Sequence, residues 1–400
     1  MNIICERNIL NGAITPALTA VSNKGTIQSL DGLLLIADKE AGTLVICGYD
    51  LEKGVKVTVS GDGVEINESG RIVLNAAKLS SIIRNLPDGE VYIAADDKFA
   101  VNIKGGRSEF TLHGLDAETF PLMPELAGDK NFKLSRRILK NMIASTLFAV
   151  GVNNSRPSLN GAFFEIKNNQ LNVVCNDSFR IALRRSSEGL TSDSGEELDL
   201  SFIVPGKSLS ELLKLIGDEE EPAEIELTSK HVIISFDNII FFSRLIESEY
   251  LDYRRAISQV APKTTAVVNT QSFLESVERA AILIDEKTEI RLTFMKQELN
   301  IENRQEAGSV QVTATGTMGK VIDECDIEIY GEDLLIAFNH RYLHEALRAA
   351  KEEKILVKLE SAMKSLIILP YDEETGDNIN NTDFESGKFL YLVLPVRMRD

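Results

Sequence analysis

Apolar residues along this chain follow two alternating patterns. One has the period of an α-helix and is clearest in two stretches, Leu79, Ile82, Ile83 and Leu86 in the first and Leu343, Ala346, Leu347 and Ala350 in the second. The other consists of runs of β-branched residues split by Gly, Asn or Lys turns, which is typical of antiparallel strands. We therefore predict an α+β fold in which helices with one apolar stripe pack on antiparallel sheets.

The order helix, strands, helix, strands occurs three times. The six predicted helical windows are residues 7–24, 75–86, 135–150, 207–216, 271–284 and 340–351. Such self-similarity is the sequence signature of repeated domains, and a single core rarely serves more than roughly 250 to 300 residues. We predict three tandem domains of one topology, with limits at 1–128, 129–261 and 262–400.

The N-terminal residues and the cysteines indicate in which cellular compartment the protein is expected. The first residues, MNIICERNIL, lack a basic leader, and no later segment approaches about 18 uncharged apolar residues. We expect a soluble cytoplasmic protein with no membrane partner. The cysteines Cys5, Cys47, Cys175 and Cys325 are far apart and form no CxxC pair, so we expect buried free thiols and neither a disulfide nor a zinc site.

The helical windows differ in charge from the rest of the chain. The net charge is −18, but the six windows together carry +9 and the remainder −27. Arg341, Arg348 and Lys351 lie on roughly one face of the last helix, opposite its apolar stripe, and Arg136 and Lys140 are paired likewise. Such helices would attract phosphates inside a channel, while the acidic remainder repels DNA. The alternative for any one helix is that its basic side chains are simply solvated, and the fifth window does not share the bias.

Motifs for catalysis or metal binding are weak. His340 and His344 are four apart on a helix, but Glu345 lies outside an HExxH pattern and no third ligand is evident. The enzyme alternative is a metal-assisted hydrolase that uses these two histidines. The Gly-rich segment SGDGVEINESG is interpreted as a hairpin turn, no GxSxG elbow occurs, and the acidic stretches 218–222 and 372–386 are interpreted as surface loops. We expect no catalytic site, no metal and no cofactor.

Several motifs carry a resemblance to a known family. They are SLDGLLL (29–35), GYDLE (48–52), SRPSLNGAFFE (155–165), CNDSFRIAL (175–183), YLDYRR (250–255), FNHRYLHEAL (338–347) and the terminal YLVLPVR. In these motifs the chain resembles the β subunit of bacterial DNA polymerase III, the sliding clamp, along its whole length. The resemblance implies three copies of the DNA-clamp fold per chain and a head-to-tail homodimer. The implied ring has its sheets outside and twelve helices lining a pore around duplex DNA.

The implied function is a topological tether for the replicative DNA polymerase. A closed ring cannot leave double-stranded DNA sideways, so processivity needs no sequence-specific contact, and weak phosphate contacts suit sliding. The ring is also expected to be a docking platform for the clamp loader and other replication and repair proteins, which bind through short peptides. The alternative binding function is an acidic peptide-binding scaffold that does not encircle DNA.

Three sets of site residues follow from the resemblance together with the charge pattern. DNA contacts are expected at Lys24, Lys78, Arg136, Lys140, Asn153, Arg156, Pro157, Ser158, Arg341 and Arg348. An apolar pocket for partner peptides, rimmed by arginine donors, is expected at Leu159, Asn176, Phe179, Arg180, Ile181, Arg255, Leu366, Leu394, Pro395, Val396, Arg397 and Met398. The dimer joint is expected at Phe110, Leu112, Ile282 and Leu283.

The last two sets have a competing interpretation as ordinary core. The segment YLVLPVR would then be a core strand, above all at Leu392 and Leu394, and the four joint residues would pack inside one subunit. Phe179 stands where His is frequent in the family, so the preferred peptide of this chain is expected to differ in detail.

Overall fold

The structure, a computed structural model, describes residues 1–22, 27–124, 128, 130–192, 198–285, 288–297, 307–372 and 387–398. The chain divides into two compact units: unit 1 comprises residues 1–137, 189–196 and 207–245, and unit 2 comprises residues 138–188, 197–206 and 246–400. No helix within the described ranges is long and apolar enough to cross a membrane.

Seven α-helices occur in the described part of the chain. They are Arg7–Leu18 (α1), Ala76–Asn85 (α2), Arg136–Ala144 (α3), Gly206–Leu215 (α4), Tyr253–Ser258 (α5), Thr270–Ala281 (α6) and His340–Ala349 (α7). All except α5 fall in the predicted windows to within one residue, which confirms the helical part of the prediction. The third window is too long, because a 3₁₀ turn at Leu147–Ala149 replaces its last part. The short α5 was missed because six residues carry no readable helical period.

Three helices begin with the same local device. The side-chain oxygens of Asn75, Asn269 and Asn339 accept backbone N–H groups in the first turns of α2, α6 and α7, at 2.9 to 3.0 Å. Each asparagine is also the last residue of a strand. Asparagine is a favoured N-cap and contributes about 1 kcal/mol relative to alanine. The cap therefore fixes where each strand turns into a helix and which helical face meets the sheet.

Unit 1 contains two antiparallel sheets. In order across the five-stranded sheet, the strands are Val64–Glu68 (β5), Asn2–Glu6 (β1), Glu90–Ala95 (β7), Ala100–Gly105 (β8) and Ser108–His113 (β9). The nine-stranded sheet consists of Leu190–Thr191 (β14), Lys130–Ser135 (β10), Pro222–Leu227 (β16), His231–Phe236 (β17), Ile239–Arg244 (β18), Lys53–Ser60 (β4), Thr43–Tyr49 (β3), Gly32–Asp38 (β2) and Gly70–Asn75 (β6).

The nine-stranded sheet joins strands of the first and second predicted domains. β18 pairs with β4 in antiparallel register, with Phe241 opposite Val55. A Cβ atom at Gly54 would lie 2.1 Å from Cζ of the Phe242 ring, so this approach requires glycine. Tyr49 packs on the same ring with centroids 5.5 Å apart, and both belong to one buried apolar cluster. The junction is therefore a continuous sheet backed by core packing.

Unit 2 contains one twelve-stranded antiparallel sheet. In order, its strands are Leu200–Pro205 (β15), Gly161–Lys167 (β11), Gln170–Asn176 (β12), Arg180–Ser186 (β13), Phe389–Val393 (β26), Leu366–Pro370 (β25), Lys354–Leu359 (β24), Thr264–Asn269 (β19), Gly319–Gly331 (β22), Ala307–Gly316 (β21), Glu289–Lys296 (β20) and Leu334–Asn339 (β23).

The pairing of β13 with β26 joins strands of the second and third predicted domains. Ile181 lies opposite Leu392, and both share a buried cluster with Tyr253 and Ile257 of α5. The strands of the second predicted domain are thus divided between units 1 and 2. The predicted limits near residues 129 and 261 stay predictions.

The cysteines are placed much as the sequence indicated. Cys5, Cys47 and Cys175 are buried free thiols, as predicted, whereas Cys325 is half-buried. Burial raises the pKa of the Cys175 thiol to about 12, so that thiol is protonated at neutral pH.

Candidate functional site

The predicted peptide pocket lies in unit 2, at one end of the seam between β13 and β26. Val393, the last residue of β26, is opposite Arg180, the first residue of β13, and also opposite Leu366, the first residue of β25. Three strand ends therefore meet where the chain leaves β26. The segment that follows, residues 394–398, contains five of the predicted pocket residues.

Backbone hydrogen bonds hold this segment in place. The N–H of Leu394 donates to the carbonyl of Phe179, and the N–H of Val396 donates into β23, each at 2.9 Å. The turn that carries Phe179 is itself fixed, because the buried side chain of Asn176 accepts the N–H of Ser178 at 2.6 Å. The segment is thereby tied both to the turn before β13 and to β23.

The side chains presented there are largely apolar. Phe179, Leu394 and Met398 are 53%, 40% and 38% exposed, and Pro395 and Val396 are half-buried. We call these five residues the peptide surface. Leu159, Ile181 and Leu366 are buried and belong to the core. Arg255 and Arg397 are exposed. The arrangement offers apolar anchoring together with two cationic donors.

Arg180 has a different place from the one expected. It is only 5% exposed, and its guanidinium donates to the carboxylates of Asp177 and Glu345 and to the carbonyl of Phe148. The same group lies over the rings of Phe148 and Tyr342, 5.1 and 4.6 Å from their centroids. Its donors are thus engaged within unit 2, which favours a structural role over donation to a peptide.

Arg255 lies on α5, which is held by a cap at its N-terminus and by side-chain hydrogen bonds to β11. The Asp252 carboxylate caps the helix by accepting the N–H of Arg255 at 3.1 Å. On β11, Glu165 accepts the Tyr253 hydroxyl at 2.8 Å and the Arg254 guanidinium at 2.6 Å. Burial alone would raise the pKa of Glu165, but the hydrogen bonds from Arg254 and Tyr253 outweigh it and hold that pKa below its ordinary value.

Two side chains beside the peptide surface were absent from the sequence-based set. The Tyr342 ring stacks on the Phe179 ring, with centroids 5.6 Å apart and planes 20° apart. Met363 is 64% exposed in the turn before β25, which the register with Val393 puts alongside the segment after β26. Tyr342 lies in the motif FNHRYLHEAL and was recoverable from it, whereas an isolated methionine in a turn gives no signal.

The predicted DNA-contacting residues fall into three groups. Lys78, Asn153, Arg156, Pro157, Arg341 and Arg348 are exposed, and Lys140 is half-buried. Arg136 and Ser158 are buried, Ser158 in the 3₁₀ turn Pro157–Asn160. Lys24 lies outside the described residues. The residues of the exposed group present their side chains to solvent, where a phosphate can reach them.

Arg136 is occupied within unit 1. It is 5% exposed, with one terminal nitrogen 2.7 Å from a carboxylate oxygen of Asp237 and the other 3.5 Å from Glu221. Removing the carboxylate partners of a buried arginine strongly destabilises the fold, because an uncompensated charge is then left in the interior. This burial argues against direct phosphate contact by Arg136, although its role in DNA binding stays a prediction.

The residues predicted for the dimer joint lie at two places, on the edge strand β9 and directly after α6. β9 is the outermost described strand of its sheet, and Phe110 is 38% exposed although it is in register with the buried Ile103. Leu112 on the same strand is half-buried. Ile282, directly after α6, is 72% exposed, and Leu283 is half-buried. An apolar residue on the core side of an edge strand lacks cover that another strand would supply.

A second free edge was not anticipated. The first half of β22 pairs with β21, and on its other side no described strand pairs with it before the β19 pairing begins at Ile327. Met318 and Ile322, at and near this hairpin, are 78% and 58% exposed. A Cβ atom at Gly316 would lie 2.3 Å from the carbonyl oxygen of Leu283, so the hairpin packs on the segment after α6.

The two histidines of the enzyme alternative both lie on α7. His344 Nε2 lies 3.0 Å from a carboxylate oxygen of Glu278 on α6. Within the described ranges no group of three or more His, Cys, Asp or Glu residues has the arrangement of a metal site.

Solved structures with the same fold define the class of protein. A DNA polymerase sliding clamp from Bacillus subtilis superposes with a TM-score of 0.88 at 29% identity, covering 100% of both chains. The DNA polymerase III subunit beta from Pseudomonas aeruginosa superposes with a TM-score of 0.87 at 25% identity, again over 100% of both. The three-domain fold of helices and antiparallel sheets is that of a DNA sliding clamp of replication, as predicted.

Sequence comparison identifies the family. Models of the N-terminal, central and C-terminal domains of the DNA polymerase III beta subunit match residues 1–124, 133–252 and 259–380. The beta sliding clamp of Halalkalibacterium halodurans is 34% identical over 405 residues, covering 99% of this chain and 100% of the relative. That of Bacillus subtilis is 30% identical over 404 residues with the same coverage. The chain belongs to the DNA polymerase III beta subunit family.

Proposed function

We propose that two copies of this chain close head to tail into a ring around duplex DNA and tether the replicative DNA polymerase to it. The observation that carries the proposal is the match of all three clamp domains, in order and over nearly the whole chain. The ring acts as a non-catalytic processivity subunit. Its place of action is the bacterial cytoplasm, in line with the bacterial origin of its relatives.

Contact with DNA is proposed to be weak and independent of sequence. The exposed basic residues Lys78, Arg341 and Arg348 lie on α2 and α7, and Arg156 lies in a loop. These side chains are suited to phosphates, and contacts to phosphates carry no sequence information. A few scattered ionic contacts attract the duplex without creating a deep energy minimum, which permits sliding.

Ring closure is proposed to use the free edges of β9 and of the first half of β22. β9 in unit 1 offers Phe110 and Leu112, and unit 2 offers Ile322 on the first half of β22 and Ile282 directly after α6. In a head-to-tail dimer, the β9 edge of one copy meets the β22 edge of the other, which covers both edges and buries the apolar side chains. The same kind of joint then occurs twice in the closed pair.

The peptide surface is proposed to dock polymerases, the clamp loader and repair proteins through short extended segments. Three exposed apolar side chains, Phe179, Leu394 and Met398, suit one or two hydrophobic anchors of a peptide. The exposed Arg255 and Arg397 suit an acidic or amide group.

The test is retention on DNA of defined topology. The chain is loaded by its clamp loader and ATP onto a nicked plasmid, and the bound protein is followed by gel filtration. We expect stable retention on the circle, rapid loss after one restriction cut, and retention again when the cut ends are blocked by tightly bound protein.

Two outcomes would contradict the ring. Equal retention on circular and free-ended DNA would indicate ordinary binding. A mass corresponding to one 44.2 kDa chain at micromolar concentration would favour the scaffold that does not encircle DNA.

A further inference from the structure

Glu345 on α7 binds two arginines with its two carboxylate oxygens. Oε2 accepts a terminal N–H of Arg180, and Oε1 accepts the Nε–H of Arg341 at 3.2 Å. The Arg180 side chain is 5% exposed, whereas the Arg341 side chain is 59% exposed. One carboxylate thus joins a buried arginine next to the peptide surface to a surface arginine proposed to contact DNA.

Arg180 in turn positions the aromatic part of the peptide surface. Its guanidinium contacts the rings of both Phe148 and Tyr342, and the Tyr342 ring stacks on Phe179. The contacts therefore run from Arg180 through Tyr342 to the half-exposed Phe179 ring. Cation–π contacts are strongest where the cation is removed from water, as Arg180 is. The position of Phe179 therefore depends on how firmly Arg180 is held.

We infer that Glu345 couples DNA contact at Arg341 to peptide binding at Phe179. The inference rests on the proposed function, because it needs DNA near α7 and a peptide on the peptide surface. The Arg341 side chain is 59% exposed, and its pair with Glu345 spans four residues of one helix. Ion pairs of this kind contribute little, so a DNA phosphate displaces Glu345 from Arg341 readily. The Glu345 charge then acts on Arg180 alone and holds it more firmly against the Phe148 and Tyr342 rings.

The sign of the coupling is positive. A firmly held Arg180 keeps Tyr342 and Phe179 in one arrangement, so less side-chain freedom is lost when a peptide anchors there. DNA should therefore raise peptide affinity, and by linkage a bound peptide raises DNA affinity by the same factor. Because Asp177 and Phe148 also hold Arg180, we expect a factor of about five, the lower end of usual coupling.

The experiment measures peptide affinity with and without DNA on the full-length protein. The probe is a short fluorescent peptide with two leucine anchors and one glutamine, followed by anisotropy at low ionic strength. Saturating short duplex should lower its Kd about fivefold for the unmodified chain. For the Glu345→Gln variant, the peptide Kd should not change when duplex is added. The same is expected for Arg341→Ala.

The matched control is Arg348→Ala, which removes another exposed arginine of α7. This variant should need more duplex for saturation but should retain the fivefold effect once saturated. A version of the peptide with serine in place of both leucines corrects for non-specific association.

The possible failures are distinct. The coupling is overturned if duplex leaves the peptide Kd of the unmodified chain unchanged. It is also overturned if duplex still lowers the peptide Kd fivefold in the Arg341→Ala variant. Should Glu345→Gln not fold, the surface variant Arg341→Ala decides the question alone. Absence of peptide binding by the unmodified chain in either condition counts against the proposed docking function itself.

Discussion

Glu165 shows how one carboxylate organises a short helix that has little stability of its own. It accepts hydrogen bonds from Tyr253 and Arg254 of α5 and from Asn172 of the neighbouring strand. Six residues cannot form a stable isolated helix, so α5 depends on such contacts and on its apolar side chains. The placement of Arg255 therefore depends indirectly on Glu165.

We predict that Glu165→Gln destabilises the protein by about 1 to 2 kcal/mol at pH 7, because hydrogen bonds to a charged group are replaced by neutral ones. The pKa of Glu165 is held below its ordinary value of 4.5, so its charge stabilises the folded state above that pH. This contribution is lost as pH falls through the folded-state pKa. The gap between the two proteins, measured by urea unfolding, should close at low pH.

Glu211→Gln is the appropriate control for this change. Glu211 pairs with the exposed Lys214 on α4, a surface pair three residues apart, and such pairs contribute little. If the two variants lose equal stability, Glu165 does not have the role described.

The burial of individual arginines marks a limit of what the sequence could predict. Arg136 and Arg341 stand at similar places in basic helical windows, yet one is buried and the other exposed. The difference arises from partners distant in the chain, such as Asp237 for Arg136. Asp177, three residues from Arg180, was visible in the sequence, but Glu345 lies 165 residues away. Long-range pairing of charges has no periodic signature.

At the scale of elements, edge strands are the feature most open to test. Phe110 points to the core side of the five-stranded sheet, in register with Ile103, but lies at its open edge. In the proposed ring, a strand of the other copy covers it. Phe110 is then exposed in a single chain because the strand that covers it belongs to the other copy.

We predict that Phe110→Asp weakens dimerisation at least about thirtyfold, because central apolar residues of an interface typically contribute 2 kcal/mol or more. Sedimentation velocity over a concentration series measures the change. Tyr92→Asp is the control, since Tyr92 is 44% exposed on β7, an inner strand of the same sheet. A Phe110→Asp protein that stays dimeric at the same concentrations as Tyr92→Asp would exclude β9 from the joint.

Helices and their order were predictable, whereas the connections between sheets were not. The Asn caps and apolar stripes are local, so α2 and α7 appeared at the expected residues. The pairings of β18 with β4 and of β13 with β26 join strands separated by long stretches of sequence. Strand alternation indicates which face is buried but not which strand is the neighbour.

At the scale of the whole molecule, topology and ionic attraction predict different responses to salt. Binding to a short linear duplex depends on phosphate contacts and should fall roughly tenfold to a hundredfold between 50 and 200 mM salt. Retention of the loaded ring on a nicked circle depends on closure and should change far less. Half-lives on the two DNAs over a salt series measure the difference, and parallel losses would contradict topological linkage.

The pairing of β13 with β26 has a consequence for how the chain is made. β26 is the last described strand in the sequence and is synthesised long after β13, but its place in the sheet is between β13 and β25. Ribosomes add about 5 to 20 residues per second, so the roughly 200 residues between β13 and β26 take about 10 to 40 seconds. During that time the β13 edge of the nascent chain lacks its native partner β26 and is open to mispairing with another polypeptide.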